Sequence, residues 1–280
     1  MSETLYGLNS LLIAGFLLAA MTVAIEVGYR IGRTKEACTK ETTRDHVKAT
    51  QASLLGILAL LLAFSFSLAL QRFDSRNEAV VDEANAIGTT FLRAQLLPSP
   101  VRNDALNLLQ RYIDLRVQAD TIPLDQEADR KVLLVNASHV LETLWNCARR
   151  AAEEDPNPVT SGLFIQSLNE TMEAYGRRDA VLRRHVPEAV TYLLIGTFVI
   201  TGGVLGYTAG VAGHRPALVS YILVVLIVVL TFIIVDLDRP RRGLIEVDQT
   251  GLNDLKAAMD KALSAGATLP VPADRASHRY

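Results

Sequence analysis

Four long apolar stretches constrain this chain more than any other feature of its sequence. They cover residues 8–29, 52–70, 188–211 and 217–235. The hydrocarbon core of a bilayer is about 30 Å thick and a helix rises about 1.5 Å per residue, so roughly 20 apolar residues cross it. A backbone in lipid must satisfy its own hydrogen bonds, which makes each stretch a helix. The sequence therefore predicts an all-α polytopic membrane protein with four transmembrane helices.

The long segment 71–187, between the second and third stretches, is rich in charged residues. Apolar residues recur in it at helical spacing, which predicts an amphipathic helix. The apolar stripe consists of Phe73, Val80, Ala84, Ile87 and Phe91. Pro98 and Pro100 end this helix, because a residue before proline is disfavoured in the helical conformation. We expect a large helical insert outside the membrane, whose first and last helices continue the second and third spans.

Further helices follow in the insert and in the tail. One is predicted over residues 126–151, and its common face carries Leu134, Ser138, Leu141, Trp145 and Ala148. The polar tail, residues 236–280, contains one short amphipathic helix over about 248–265 and a disordered end. Residues 30–51 form a basic loop between the first two spans.

The charges near the spans bear on orientation. Four spans place both termini and the insert on one side, with the basic loop and Arg215 on the other. Lysines and arginines are almost evenly divided between the two sides, with a small excess on the insert side. Because positive residues accumulate in the cytoplasm, this excess favours a cytoplasmic insert and cytoplasmic termini.

A row of small residues marks one face of the third span. Gly202, Gly206 and Gly210 repeat every four residues as a doubled GxxxG pattern. Small residues at this spacing let two helices approach closely in lipid, although glycine is common in membrane helices generally. The row favours tight packing against another helix, of the same chain or of a second copy.

Two sequence segments resemble a known family. They are LLAFSFSLALQRFDSRNEAVVDEANAIGTTFLRAQLLP, residues 61–98, and DLDRPRRGLIEV, residues 236–247; His46 also fits the pattern. Together they resemble the bacterial bestrophin-like domain family over about residues 45–260. The resemblance implies a four-span helical protein of the bacterial inner membrane. Its distant relatives, the bestrophins, are pentameric anion channels whose second span lines the pore.

That resemblance implies candidate site residues. On the second span the pore-lining candidates are Phe64, Ser65, Phe66 and Ser67, where an apolar constriction gates by excluding water. A charged pore mouth is expected from Arg72, Arg76, Asp236, Asp238, Arg239, Arg241 and Arg242. In this mouth Asp236 and Asp238 pair with Arg239, Arg241 or Arg242, or with Arg72 and Arg76 at the end of the second span. The alternative is that these charges only anchor the span ends in the headgroup layer. Surplus arginine at a mouth concentrates small anions such as chloride.

Other functions find little support in the sequence. No HExxH, GxSxG, phosphate-loop or dinucleotide-binding motif occurs, so we expect no enzyme. Cys38 and Cys147 form no metal or redox motif, and the acids around Asp236 are too sparse for a calcium site, so no cofactor is expected. A net charge of -2 argues against nucleic-acid binding.

Two hypotheses follow from the sequence. The first is a homo-oligomeric anion channel in contact with membrane lipid. The second is a non-conducting scaffold or sensor whose helical insert binds a partner. Glu26, about one turn inside the end of the first span, is a further candidate functional residue because ionisable groups are rare in spans.

Overall fold

The computed structural model describes residues 10–35, 41–122, 126–182, 188–238, 245 and 247–265. Within these ranges the secondary structure is helical and no strand occurs, which confirms the all-α prediction. The α-helices are α1 (Ser10–Lys35), α2 (Glu41–Ala94), α3 (Val101–Thr121), α4 (Glu127–Glu154), α5 (Leu163–Leu182), α6 (Glu188–Val211), α7 (Leu218–Asp238) and α8 (Thr250–Ala265). A π-helical turn, Pro158–Gly162, precedes α5.

Among the described helices, α1, α2, α6 and α7 are long and apolar enough to cross a membrane. These four helices coincide with the four predicted spans. α1 and α2 run further than the apolar stretches, so residues 30–35 and 41–51 of the predicted basic loop are helical. The extension has a simple cause, since a helix ends where backbone hydrogen bonding is interrupted rather than where apolar residues stop.

α2 is the longest helix, with 54 residues. Its apolar part ends near Leu70, and its charged part continues to Ala94, shortly before Pro98 and Pro100. The chain divides into two compact units, and α2 contributes to both. The first unit is residues 1–74 and 184–246, and the second is residues 75–183 and 247–280.

The core of the first unit joins the four span helices. Its buried side chains include Met21 and Ile25 of α1, Leu58 and Leu62 of α2, Leu194 and Phe198 of α6, and Val224 and Ile227 of α7. α1 packs against both α6 and α7. The turn after α6 ends at Gly213, whose φ of 79° suits glycine, and its carbonyl accepts a hydrogen bond from Arg33 Nη1 at 3.0 Å.

The second unit has a hydrophobic core of its own. Four of the five residues of the predicted α2 stripe, Val80, Ala84, Ile87 and Phe91, are buried in it, together with side chains from α3, α4, α5 and α8. Phe73 instead packs in the core of the first unit. α8 contributes Leu252 and Met259, and Leu255 approaches the position where a Cβ on Gly88 would lie, at 3.2 Å.

The common face predicted for α4 is only partly buried. Leu141 and Ala148 are buried as expected, but Trp145 is 36% exposed. The buried face is instead centred on Ala137, Leu144 and Ala151. Two apolar faces overlap on this helix, and only packing against α3 and α5 decides between them.

Candidate functional site

The second span presents one face that the chain itself does not cover. Phe64 is 61% exposed, and Ser67 lies on the same side of α2. Helical spacing adds further exposed side chains above and below them, namely Ile57, Leu60, Leu68 and Gln71. We call these six residues the open face of α2. It is apolar around Phe64 and becomes polar at Ser67 and Gln71.

The other two pore-lining candidates point elsewhere. Ser65 is buried and is rotated by about 130° from the middle of the Phe64–Ser67 face. Phe66 is half-buried and lines an apolar groove of about 270 Å³ between α2 and α7. The groove is also lined by Ala59, Leu62, Ala63, Leu226, Ile227 and Leu230. Four consecutive helical residues cannot share one face, since each is rotated by about 100° from the last.

Charged residues just after the apolar part of α2 and at the end of α7 meet in the first unit. Arg72 Nη1 lies 3.4 Å from Asp238 Oδ1, and the Asp238 side chain is only 4% exposed. Asp236 is also buried, and its Oδ2 accepts a hydrogen bond from the backbone N–H of Ile245 at 3.1 Å. The two aspartates therefore face inward, which the position of Arg72 makes electrostatically tolerable.

Of the remaining members of the predicted mouth, the structure describes only Arg76. Arg76 is 1% exposed, so its charge is not displayed at a surface of this chain. Arg239, Arg241 and Arg242 lie outside the described residues. Glu26, the other candidate, accepts a hydrogen bond from Arg30 Nε at 2.8 Å on an exposed side of α1.

The glycine row of α6 faces α1 of the same chain. A Cβ on Gly206 would lie 1.9 Å from the carbonyl oxygen of Ile25, and one on Gly210 would lie 2.4 Å from that of Tyr29. Gly202 approaches Met21. Contacts this short are backbone against backbone, so only glycine permits the observed separation of the two helices.

Sequence reasoning missed the matching glycines on α1. A Cβ on Gly28 would lie 2.0 Å from the carbonyl oxygen of Gly203, and one on Gly32 would lie 2.3 Å from that of Tyr207. The signal was present, because Gly28 and Gly32 form a GxxxG pair of their own.

A buried ionic cluster in the second unit was also missed. Glu83 Oε1 is 2.6 Å from Arg116 Nε, and Glu83 Oε2 is 2.8 Å from Arg116 Nη2 and 2.6 Å from Arg178 Nη1. Tyr112 donates its hydroxyl hydrogen to Glu83 Oε1 at 2.8 Å. Arg178 also donates through Nη2 to Asp120 at 2.7 Å and to Gln249 at 3.0 Å. We call these residues the Glu83 cluster.

Glu83 lies in the charged part of α2, which follows the apolar part that ends near Leu70. Burial by itself would raise the pKa of Glu83, but the charges and hydrogen bonds of Arg116 and Arg178 outweigh it and lower the pKa to about 2. Burial and the Glu83 charge raise the pKa of Tyr112, so its phenol stays neutral. Glu83 is therefore a permanent charge at physiological pH.

The sequence held a partial signal for this cluster. Glu83, Arg116 and Arg178 each occupy an apolar-face position of their helix, next to Val80, Tyr112 and Ala174 respectively. Charged residues at such positions are buried only when they are paired. Arg116 and Arg178 lie 33 and 95 residues from Glu83 in the chain. Helical spacing relates only residues a few positions apart, so it does not predict these pairs.

The sequence profile of the bestrophin-like domain matches residues 15–252, which is most of the chain. This chain belongs to the bestrophin-like domain family. The match contains the open face of α2, the Arg72–Asp238 pair and the Glu83 cluster.

Solved structures agree with the fold of this bestrophin-like chain. Two point variants of a bacterial bestrophin homologue from Klebsiella pneumoniae superpose with TM-scores of 0.66 and 0.62 at 18% identity. The alignments cover 91% and 89% of this chain and 97% of each homologue. The same homologue phased with zinc gives a TM-score of 0.59, also at 18% identity, over 89% of this chain and 98% of that one. At this identity the likeness shows a shared fold.

Among proteins with curated functions, none matches the bestrophin-like sequence significantly. Within the described ranges, no group of three or more histidine, cysteine, aspartate or glutamate side chains is arranged to hold a metal ion.

Proposed function

We propose that this chain assembles with copies of itself into an ion channel of the bacterial inner membrane, with a small anion such as chloride as the permeant ion. The observation that carries the proposal is the open face of α2, a span-length helix whose Phe64 side is covered by no other part of the described chain. Membership of the bestrophin-like family supports it. The proposal assigns the protein to transport rather than to enzymatic catalysis.

In such an assembly the open faces of several α2 helices surround a common axis. The Phe64 side chains then form an apolar ring. Ions pass while water fills this ring, and the pore is closed when the ring is dewetted. Ser67 follows it with a hydroxyl, which donates a hydrogen bond that an anion accepts.

The proposed orientation follows from charge. With the insert and termini in the cytoplasm, the slightly larger group of arginines lies on the side that favours positive charge. Lipid covers the outward faces of the other span helices, which are rich in exposed leucine, valine and isoleucine.

A second candidate is a non-conducting scaffold or sensor. It is favoured by the second unit, which has its own hydrophobic core and a buried ionic cluster, and so is equipped to present a fixed surface to a partner. This reading places no requirement on α2 and predicts no lumen.

One experiment separates the two. The purified protein is imaged in lipid to count subunits, and the same preparation is reconstituted into vesicles loaded with chloride. The expected result is a ring with a lumen along α2, together with chloride efflux above that of chloride-loaded vesicles without protein. A monomer, or a closed assembly without a lumen and without efflux, would leave the scaffold as the better account.

A further inference from the structure

The end of α7 holds two acidic groups in an unfavourable place. Asp236 and Asp238 lie in its last turn and are both buried. The carboxyl end of a helix carries a partial negative charge, so carboxylates there are destabilised. The last turn of α7 contains no basic residue. A buried charge without a counter-charge is costly, so a positive group that another element brings to this point stabilises the aspartates.

Arg72 of α2 supplies a positive charge at this point. Its Nη1 lies 3.4 Å from Asp238 Oδ1, and its side chain is only 25% exposed. Arg72 follows Ser65 and Ala69 at helical spacing on the buried side of α2, and both of these are buried. Arg72 is rotated about the helix axis by about 110° from the middle of the Phe64–Ser67 face.

We infer that the Arg72–Asp238 pair is a positioning latch that, together with the apolar packing of α2, fixes the rotation of this helix and so holds Phe64 and Ser67 toward the ion path. The inference rests on the proposed channel and deepens it. Arg72 is here a positioning residue that acts through Asp238, and it does not touch the permeating ion. This differs from the mouth predicted from sequence, where Arg72 selected anions by its charge.

The two roles predict different measurements. A mouth residue acts on selectivity, so neutralising it shifts the reversal potential toward cations. A latch acts on the geometry of the conduit, so breaking it reduces the flux while the surviving flux keeps its selectivity. Breaking a buried pair from one side leaves the other charge uncompensated, whereas exchanging the two charges can restore the pair.

The test uses full-length protein in planar bilayers and chloride-loaded vesicles. R72Q and D238N are each expected to lower chloride flux per protein at least five-fold with an unchanged reversal potential. The double variant R72Q/D238N loses no more than the worse single variant, and the exchange R72D/D238R recovers flux. R150Q is the matched control, because Arg150 and Asp104 form an arginine–aspartate pair between helices at 2.8 Å that is about half exposed. The R150Q variant is expected to leave the chloride flux unchanged.

Two outcomes overturn the latch. One is a reversal potential that moves toward cations in R72Q at normal flux, which assigns Arg72 to selection. The other is unchanged flux in both R72Q and D238N. If R72Q does not fold, R72K replaces it in the test. R72K retains the positive charge, so it is expected to keep at least half of the chloride flux if the latch exists. A loss of flux in R72K as large as that in D238N contradicts the latch.

A double-mutant cycle of melting temperatures, measured in detergent, separates this inference from the channel proposal, because the measurement needs no ion flow. Losses of melting temperature in R72Q and D238N that do not add in the double variant support the latch. Non-additive melting combined with no flux in the unaltered protein overturns the channel alone. Additive melting combined with normal flux in the unaltered protein overturns the latch alone.

Discussion

Arg116 and Glu83 form a bidentate ion pair inside the second unit, with Nε 2.6 Å from Oε1 and Nη2 2.8 Å from Oε2. Both side chains are almost fully buried, and Arg178 adds a third contact from α5. The Arg116 guanidinium also lies 5.1 Å from the centre of the Tyr175 ring. One carboxylate thus joins α2, α3 and α5, and its removal affects all three helices.

Glu83→Gln is expected to destabilise the second unit strongly. It leaves two buried arginines without their main counter-charge, and breaking a buried pair from one side costs about 3–5 kcal/mol. The single tryptophan of the chain, Trp145, lies in α4 of this unit, so its fluorescence during thermal or denaturant unfolding reports the loss. Glu142→Gln, at an exposed glutamate of the same helix as Trp145, is the control. Equal unfolding free energies of the two variants would contradict the stabilising role given to the Glu83 cluster.

The contribution of Glu83 should depend on pH in a defined window. The pKa is lowered from 4.5 to about 2 on folding, so the stabilisation is fully present above pH 4.5 and is lost as the pH falls toward 2. The shift corresponds to about 3 kcal/mol, taken as an order of magnitude. The difference in unfolding free energy between the unaltered protein and Glu83→Gln, followed by Trp145 fluorescence, should be constant from pH 7 to 5 and shrink below that. A difference that stays constant down to pH 3 would rule out this linkage.

Gly206→Ala is expected to disrupt the packing of α1 on α6. The added Cβ would lie 1.9 Å from the carbonyl oxygen of Ile25, and a backbone atom cannot move aside without separating the helices. A loss of about 1–3 kcal/mol or more follows from such overpacking. The measurement is the temperature at which the purified protein loses its size-exclusion peak in detergent.

Gly196→Ala provides the matched control on the same helix. Nothing lies within 4 Å of a Cβ built there, so the substitution is expected to be neutral or to stabilise by up to about 1 kcal/mol. If both glycine variants behave alike, close backbone approach is not what requires Gly206.

Phe64→Ala tests the proposed apolar ring. A smaller side chain widens the constriction and favours its wetting, so chloride efflux from vesicles should rise roughly two-fold or more. Phe16→Ala is the control, since Phe16 is a similarly exposed phenylalanine on α1. Equal efflux from the two variants would remove Phe64 from the ion path.

Much of the fold was predictable because its signals are local. The four spans are encoded in length and apolarity, and the end of α2 is encoded by Pro98 and Pro100. The amphipathic stripe of α2 from Val80 to Phe91 was read correctly, whereas the face of α4 carrying Trp145 was not. α4 has two overlapping apolar faces, and its neighbours choose between them.

The candidate site was less accessible to sequence reasoning. Phe64 and Ser67 were named together with Ser65 and Phe66 because a resemblance locates a segment rather than a side of a helix. The pairing of Arg72 with Asp238 was one of several alternatives, and the Glu83 cluster was not foreseen. Each of these depends on partners that are distant in the chain.

The sequence by itself determined that this chain crosses a membrane as four helices and carries a helical insert. Lipid leaves a long apolar segment no alternative to satisfying its own hydrogen bonds. Only the tertiary structure decided how α2 is rotated and which charges meet, since Arg72 and Asp238 are 166 residues apart. The rotation of a helix is set by the summed packing and electrostatics of its neighbours, and no local pattern contains that sum.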